Sequence, residues 1–319
     1  MPYMDLHCDT LTQAALLGRR SLTDFPEAAV DVNRLRKAGC AAQFFAVFLP
    51  PPAMLAHYFP RYRGDDDYLV SCRAALVDTV QADPDTLALA KTGAEVARNA
   101  AAGKLSVLLS LEDGRSVGGS LEKLWGYYDL GVRMVSLTWN AANCFGAPNS
   151  NDPEVMQRGL TDFGKEAVTY MQSLKMLVDV SHLSDGGFRD VAELCKGPFV
   201  ASHSNCRALC PHRRNLTDGM LRCLGNHGGV AGLNCYPAFV GLEGGPAALA
   251  KHARHMTNLG GMDVAAIGTD FDGFTGPAVP GGPGEMSLLW DALRAEGFTE
   301  DEMEKLAWGN ALRVLKEAL

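Results

Sequence analysis

Apolar runs recur along the chain with helical patterns between them. Eight of these runs predict strands, at residues 3–9, 40–49, 105–112, 132–138, 176–182, 198–203, 229–235 and 264–270. Most are continuous rather than alternating, as expected of parallel strands buried on both faces. Strands and helices alternate without a break in composition, which predicts one α/β domain over residues 1–319. A (β/α)8 TIM barrel with long βα loops fits this pattern. A doubly wound open sheet is the alternative, disfavoured because no Gly-x-Gly-x-x-Gly turn opens a helix after the first strand.

Three connections are longer than a barrel needs. Residues 50–104 predict two helices, 141–159 an irregular loop over the site, and 274–286, with seven Gly or Pro, no regular structure. Some helix ends are legible. Thr299-Glu300-Asp301-Glu302 is a capping box, with Phe298 and Met303 placed as its hydrophobic staple. Thr161 is a cap ahead of the stripe Phe163, Val168, Met171 and Leu174.

A length of 319 residues suits one α/β barrel, and 47% apolar with 21% charged residues describes a globular chain with a large core. The 29 basic and 37 acidic residues give a net charge of −8. No basic stripe is present, which argues against nucleic acid or an anionic membrane as partner. No run approaches the ~18 apolar residues of a membrane span. The N-terminus lacks the basic-then-apolar pattern of a secretory signal, and residues 302–319 predict a charged amphipathic helix. Nine scattered cysteines, an odd number, fit reduced thiols in a cytoplasm. Cys206 and Cys210 have no second pair at zinc-finger spacing and are expected to be small apolar residues.

The candidate chemistry lies at the ends of the predicted strands. In a strand over 3–9, His7 and Asp9 share a face and Cys8 points away. The third run ends in Glu112-Asp113-Gly114, the fifth in Asp179-Val180-Ser181-His182, the sixth in Ser202-His203-Ser204 and the eighth in Gly268-Thr269-Asp270-Phe271-Asp272-Gly273. A single terminal carboxylate or histidine is ordinary. Five strand ends carrying metal-capable or proton-transferring groups meet at one mouth only if the sheet closes. Imidazole and carboxylate donors suit borderline divalent metals, zinc first. Three histidines and two carboxylates exceed one catalytic zinc and suit two ions about 3.5–4 Å apart.

With these motifs, together with Gly159-Leu160-Thr161-Asp162-Phe163-Gly164, Arg213-Arg214-Asn215 and Trp308-Gly309-Asn310, the sequence resembles the membrane (renal) dipeptidase family, peptidase family M19 of the amidohydrolase superfamily. The resemblance runs through nearly the whole chain. It implies a barrel with two zinc ions per subunit, and a homodimer. It further implies that His7 and Asp9 bind one ion, His182 and His203 the other, and that Glu112 bridges them. Asp270 would be the acid/base residue and Arg214 would hold the substrate carboxylate. Asn234 and Tyr236 resemble pocket positions. The implied reaction is hydrolysis of a dipeptide, with L-D as well as L-L substrates open.

One departure stands out. Where the family has a histidine that donates to the substrate carbonyl, this chain has Trp139, whose single indole N–H carries no charge. Asn140 or Asn143 is the candidate replacement. Trp139 also keeps open another hydrolase of amides, N-acyl amino acids or lactones, and, more remotely, a non-catalytic metal-binding barrel. His252 and His255 are expected at the surface, His212 beside the arginine loop, and Lys165 and Glu166 on a solvated helix face.

Overall fold

The computed structural model describes residues 1–241, 244–276 and 278–319. Among the described residues nine parallel strands form one sheet: β1 (Tyr3–Cys8), β2 (Cys40–Phe48), β3 (Leu87–Leu89), β4 (Leu105–Glu112), β5 (Val132–Ser136), β6 (Leu177–Asp179), β7 (Val200–Ala201), β8 (Val230–Leu233) and β9 (Ala265–Ile267). Their order is β2-β1-β9-β8-β7-β6-β5-β4-β3, and pairing of β2 with β4 closes eight of them into a barrel. The predicted (β/α)8 architecture is therefore present. β3 is an addition that the apolar pattern did not separate. It pairs with Leu105–Val107 of β4, below the point where β5 takes over the same edge.

The connection 50–104 holds three helices rather than two, Pro52–Tyr58, Asp65–Ala82 and Gly93–Ala101. The third is fixed by a capping box in which Thr92 and Glu95 satisfy each other's backbone N–H groups. Within 141–159 a short helix, Pro153–Gln157, interrupts the expected irregular loop. The Gly/Pro-rich segment 274–286 is irregular apart from the turn Pro283–Glu285, with residue 277 outside the described residues. Thr299 and Glu302 form the expected capping box beside buried Phe298 and Met303.

Side chains divide by strand face. One apolar cluster takes a residue from every barrel strand, among them Leu6, Phe44, Leu108, Met134, Leu177 and Val200, and so fills the lumen floor. Ala311, Val314 and Leu315 of the last helix, Asn310–Ala318, belong to the same cluster. The larger cluster lies between strands and surrounding helices. Two residues further along, the inward positions turn polar: Ser110, Ser136, Asp179 and Ser202 are all buried. Gly232 and Gly268 belong to this layer, because a Cβ on either would sit within 2 Å of the Ser202 carbonyl oxygen.

β1 departs from simple alternation. Asp5 pairs with Gln43 and Cys8 with Phe45, so three steps on β1 match two on β2. This bulge lets Leu6 face the lumen floor while His7 turns to the mouth and Cys8 packs outward near the Phe44 carbonyl.

Candidate metal centre and active site

His7 and Glu112 lie at the C-terminal ends of β1 and β4, and the other site residues lie beyond their strands. His182 lies three residues beyond β6, His203 two beyond β7 and Asp270 three beyond β9, while Asp9 is the N-cap of helix Thr10–Leu17. His182 and Asp270 adopt left-handed backbone, φ 71° and 62°, as do Asp113 and Asp272. Each such non-glycine residue costs on the order of 1–3 kcal/mol, which the surrounding contacts must offset.

The side chains converge on Glu112. His7 Nε2 lies 3.3 Å from Asp9 Oδ2, 3.6 Å from Glu112 Oε2 and 3.9 Å from Asp270 Oδ1. On the other side, Glu112 Oε1 is 2.9 Å from His182 Nε2 and 3.8 Å from His203 Nε2. All six residues are buried. Three sets place one ligand atom per residue within 4.8 Å of one another: His7, Asp9, Glu112; Glu112, His182, His203; and His7, His203, Asp270.

The donors suit a cation. His182 Nε2 and His203 Nε2 face each other at 3.1 Å, and Asp9 Oδ1 is buried with no hydrogen-bond partner among the described residues. At that separation either one nitrogen donates its proton to the other or a cation lies near both lone pairs. Burial lowers the His182 pKa to about 4, with Arg214 adding to it, and drives His203 well below the ordinary range. Both rings are thus neutral, the ligand form.

The carboxylate side behaves differently. Burial, reinforced by Glu112, raises Asp9 to about 8 against the pull of His7. Burial also raises Asp270 to about 6, opposed by His7. Glu112 is buried as well, but His7 and His182 outweigh the desolvation and hold its carboxyl below the usual range. His7 is pushed up despite burial by Asp9 and Glu112.

The centre opens into a cavity of about 340 Å³ walled by Phe48, Met54, Trp139, Tyr236 and Phe274, with Asp270 and Glu112 at its base. Tyr236 stacks on Phe274 at 4.6 Å. A larger groove of about 600 Å³ near Pro211 and Lys251 holds none of these carboxylates. Asn234 is buried and donates to Asp270 Oδ2 (2.8 Å), so it positions the carboxylate rather than lining the pocket. Arg214 is buried, donates from Nη1 to Ser204 Oγ (3.3 Å), and leaves Nε and Nη2 without partners among the described residues. Burial lowers its pKa to about 10, which leaves it charged at neutral pH. His212 Nδ1 accepts from the Arg214 backbone N–H (3.2 Å), the expected tie to the arginine loop.

Trp139 stands edge-on to Phe48 at 4.8 Å, with its ring 6.2 Å from that of His182. Exposed Asn140 sits 3.4 Å from His182 Nδ1 through its Oδ1. Asn143 is not a spare donor. Its amide donates to Asp113 Oδ1 and the Leu137 carbonyl, and its oxygen accepts from Phe145 N–H. His252, expected at the surface, is buried: Nδ1 accepts from Cys206 N–H and Nε2 donates to the Val240 carbonyl. Two backbone partners make it a structural core histidine. His255 is half-buried and paired with Asp218 (2.8 Å).

The family model described as "Membrane dipeptidase (Peptidase family M19)" matches residues 1–319. The chain belongs to this family. It is accordingly a metal-dependent peptide hydrolase. A Klebsiella pneumoniae protein from the region 5′ of pqqA is 35% identical over 262 residues, covering 78% of this chain and 96% of that protein. The dipeptidase aclJ of Aspergillus oryzae is 32% identical, covering 93% of this chain and 72% of its own. A crystal structure of a Rhodobacter sphaeroides metallopeptidase, liganded with a phosphinate mimic of the dipeptide L-Ala-D-Ala, superposes with a TM-score of 0.87. It is 27% identical and covers 100% of this chain and 99% of that one.

The residues that motif reading did not single out are those behind the ligands. Asp5 accepts from Thr269 N–H, Thr269 Oγ1 and His7 N–H, binding β1 to the turn that carries Asp270. Gly273 backs directly on Asp270 and Asp9, where a Cβ would lie within 2.5 Å of both carboxylates. Thr269 and Gly273 lie inside the Gly268–Gly273 motif and Asp5 two residues before His7, and that closeness to a ligand is their only signal in the sequence.

Proposed function

We propose that this M19 dipeptidase works with two zinc ions. His7 and Asp9 would hold one, His182 and His203 the other, with Glu112 available to both. The single observation carrying this is the double role of Glu112, whose two oxygens approach different histidine groups. Nitrogen and oxygen donors without thiolate support zinc among the divalent metals. When bound, such a pair polarises the scissile carbonyl and acidifies water.

The remaining work falls to the chain's own groups. Asp270, raised to about 6 and oriented by Asn234, accepts the proton of the attacking water and returns it to the leaving amine. Arg214 offers Nε and Nη2 to the substrate's terminal carboxylate, a bidentate match to a planar anion. The aromatic walls, Tyr236 among them, exclude water around a small apolar substrate. Asn140 acts on His182 rather than on substrate, which leaves the site without a cationic carbonyl donor beside Trp139.

Purified protein should hold close to two equivalents of zinc and lose dipeptide hydrolysis on His203→Ala. Full activity in metal-free protein would end the proposal. A panel of L-L and L-D dipeptides, N-acyl amino acids and lactones tests the substrate; faster turnover of the latter two classes would move the activity to another amide or ester bond.

A further inference from the structure

We infer that Asp179, acting through the Ser202 hydroxyl, is the positioning residue that decides which nitrogen of His203 carries the imidazole proton and leaves the Nε2 lone pair free toward the metal centre. Asp179 is fully buried in the polar layer of the lumen. Its Oδ1 accepts from two backbone groups, Ser181 N–H (2.9 Å) and Ser202 N–H (2.8 Å). Its Oδ2 accepts from the hydroxyls of Ser202 (2.6 Å) and Ser136. With two backbone N–H groups on one oxygen and two hydroxyls on the other, the carboxylate is an acceptor on every side, so the one proton of Ser202 Oγ is committed to Asp179. That hydroxyl also lies 2.7 Å from His203 Nδ1. With its proton spent, Ser202 Oγ can only accept there, and Nδ1 must carry the imidazole proton. The Nε2 lone pair is left pointing at Glu112 and His182.

The relay is built in rather than incidental. Gly232 and Gly268 leave the space in which the Ser202 backbone sits, since a side chain on either would overlap its carbonyl. The same layer reaches Arg214: Ser181 Oγ accepts from His203 N–H (3.1 Å) and meets Ser204 Oγ (3.2 Å), to which Arg214 donates. Hydrogen bonds behind metal-binding histidines fix tautomer and ring orientation, and their loss typically weakens binding about 10–100-fold. Calling the centre a metal site rests on the two-zinc proposal; the tautomer does not.

Asp179→Asn is the decisive variant because it is isosteric. Oδ1 must remain the acceptor for two backbone N–H groups, so the new NH2 replaces Oδ2. It then donates to Ser202, whose proton turns toward His203 and forces the Nε2–H tautomer. Long-range 1H–15N correlation on metal-free protein should find Nδ1–H at His203 in the native chain and Nε2–H in the variant. Chelator competition should find one zinc of the two weakened about 10–100-fold. Ser202→Ala should weaken the same zinc about tenfold, and it keeps the test usable if Asp179→Asn fails to fold. Ser136→Ala removes a hydrogen bond from the same carboxylate without touching the relay and should leave zinc affinity unchanged. The inference is overturned if native His203 carries its proton on Nε2, or if Ser136→Ala weakens zinc as much as Ser202→Ala. Native protein that binds no zinc would sink the metal proposal alone.

Discussion

The two sides of the centre aim their histidines by different means. His203 is held from behind by a hydroxyl and a buried carboxylate, and burial keeps its ring and that of His182 neutral. His7 has no such support: its Nδ1 is buried without a partner among the described residues, and its direction comes from the bulge in β1. The first side is a set of lone pairs tuned by hydrogen bonds. The second is an excess of carboxylate, with Asp9 and Asp270 both pushed up by burial and by Glu112. A buried cluster of this kind holds protons where it lacks a cation, and the carboxylate side is the one that holds them.

Glu112→Ala removes the carboxylate whose two oxygens approach the histidines of both sides. It should lose both zinc equivalents and reduce dipeptide turnover to background, as metal analysis and a rate assay would show; retention of either ion by native affinity would mean that the sides are independent. Asp270→Asn should spare zinc binding but cost about 10²–10⁴ in kcat, the usual share of a proton-transfer group. Loss of zinc instead would make Asp270 a ligand, consistent with its 3.9 Å approach to His7. Arg214→Lys keeps the charge and loses the fork. Steady-state kinetics should register a rise in KM with a smaller change in kcat, within the roughly 2–5 kcal/mol of a buried charge pair left unmatched.

A subtler prediction concerns pH in the metal-free protein. Asp9, raised from 3.8 to about 8, keeps in the folded state a proton that the unfolded chain has released. Rising pH through that window therefore removes stability, and the upward shift of His7 acts in the same direction. His182 and His203 act oppositely, but only below their unfolded value of 6.5. Melting temperature of chelated protein should thus fall between pH 6.5 and 8, with a flatter profile in Asp9→Asn. The smallest effect is expected far from the centre. Thr299→Ala breaks the capping box of helix Glu300–Glu304 and should cost about 1 kcal/mol by denaturant titration, with catalysis unchanged.

Much of the barrel was legible because buried parallel strands are written as apolar runs, and each run located a strand. The ligand motifs were legible for a related reason: polar residues that close such a run must be either caps or chemistry, and Glu112 and His203 close theirs. β3 escaped notice because three residues on the edge of β4 need no run of their own. His252 was misplaced because two histidines three apart on a helix carry no sign of which one a neighbouring loop covers; the Val240 carbonyl and Cys206 N–H do that.

The order of residues alone thus determined the eight barrel strands, the capping signals and the set of donors, since these depend on local pattern and on chemical type. Only the folded chain decided that Glu112 faces two histidine groups, that Asn143 is already engaged, and that Asp179 sits behind His203. Those facts depend on barrel closure and on a one-residue bulge, which bring groups far apart in sequence within hydrogen-bonding distance.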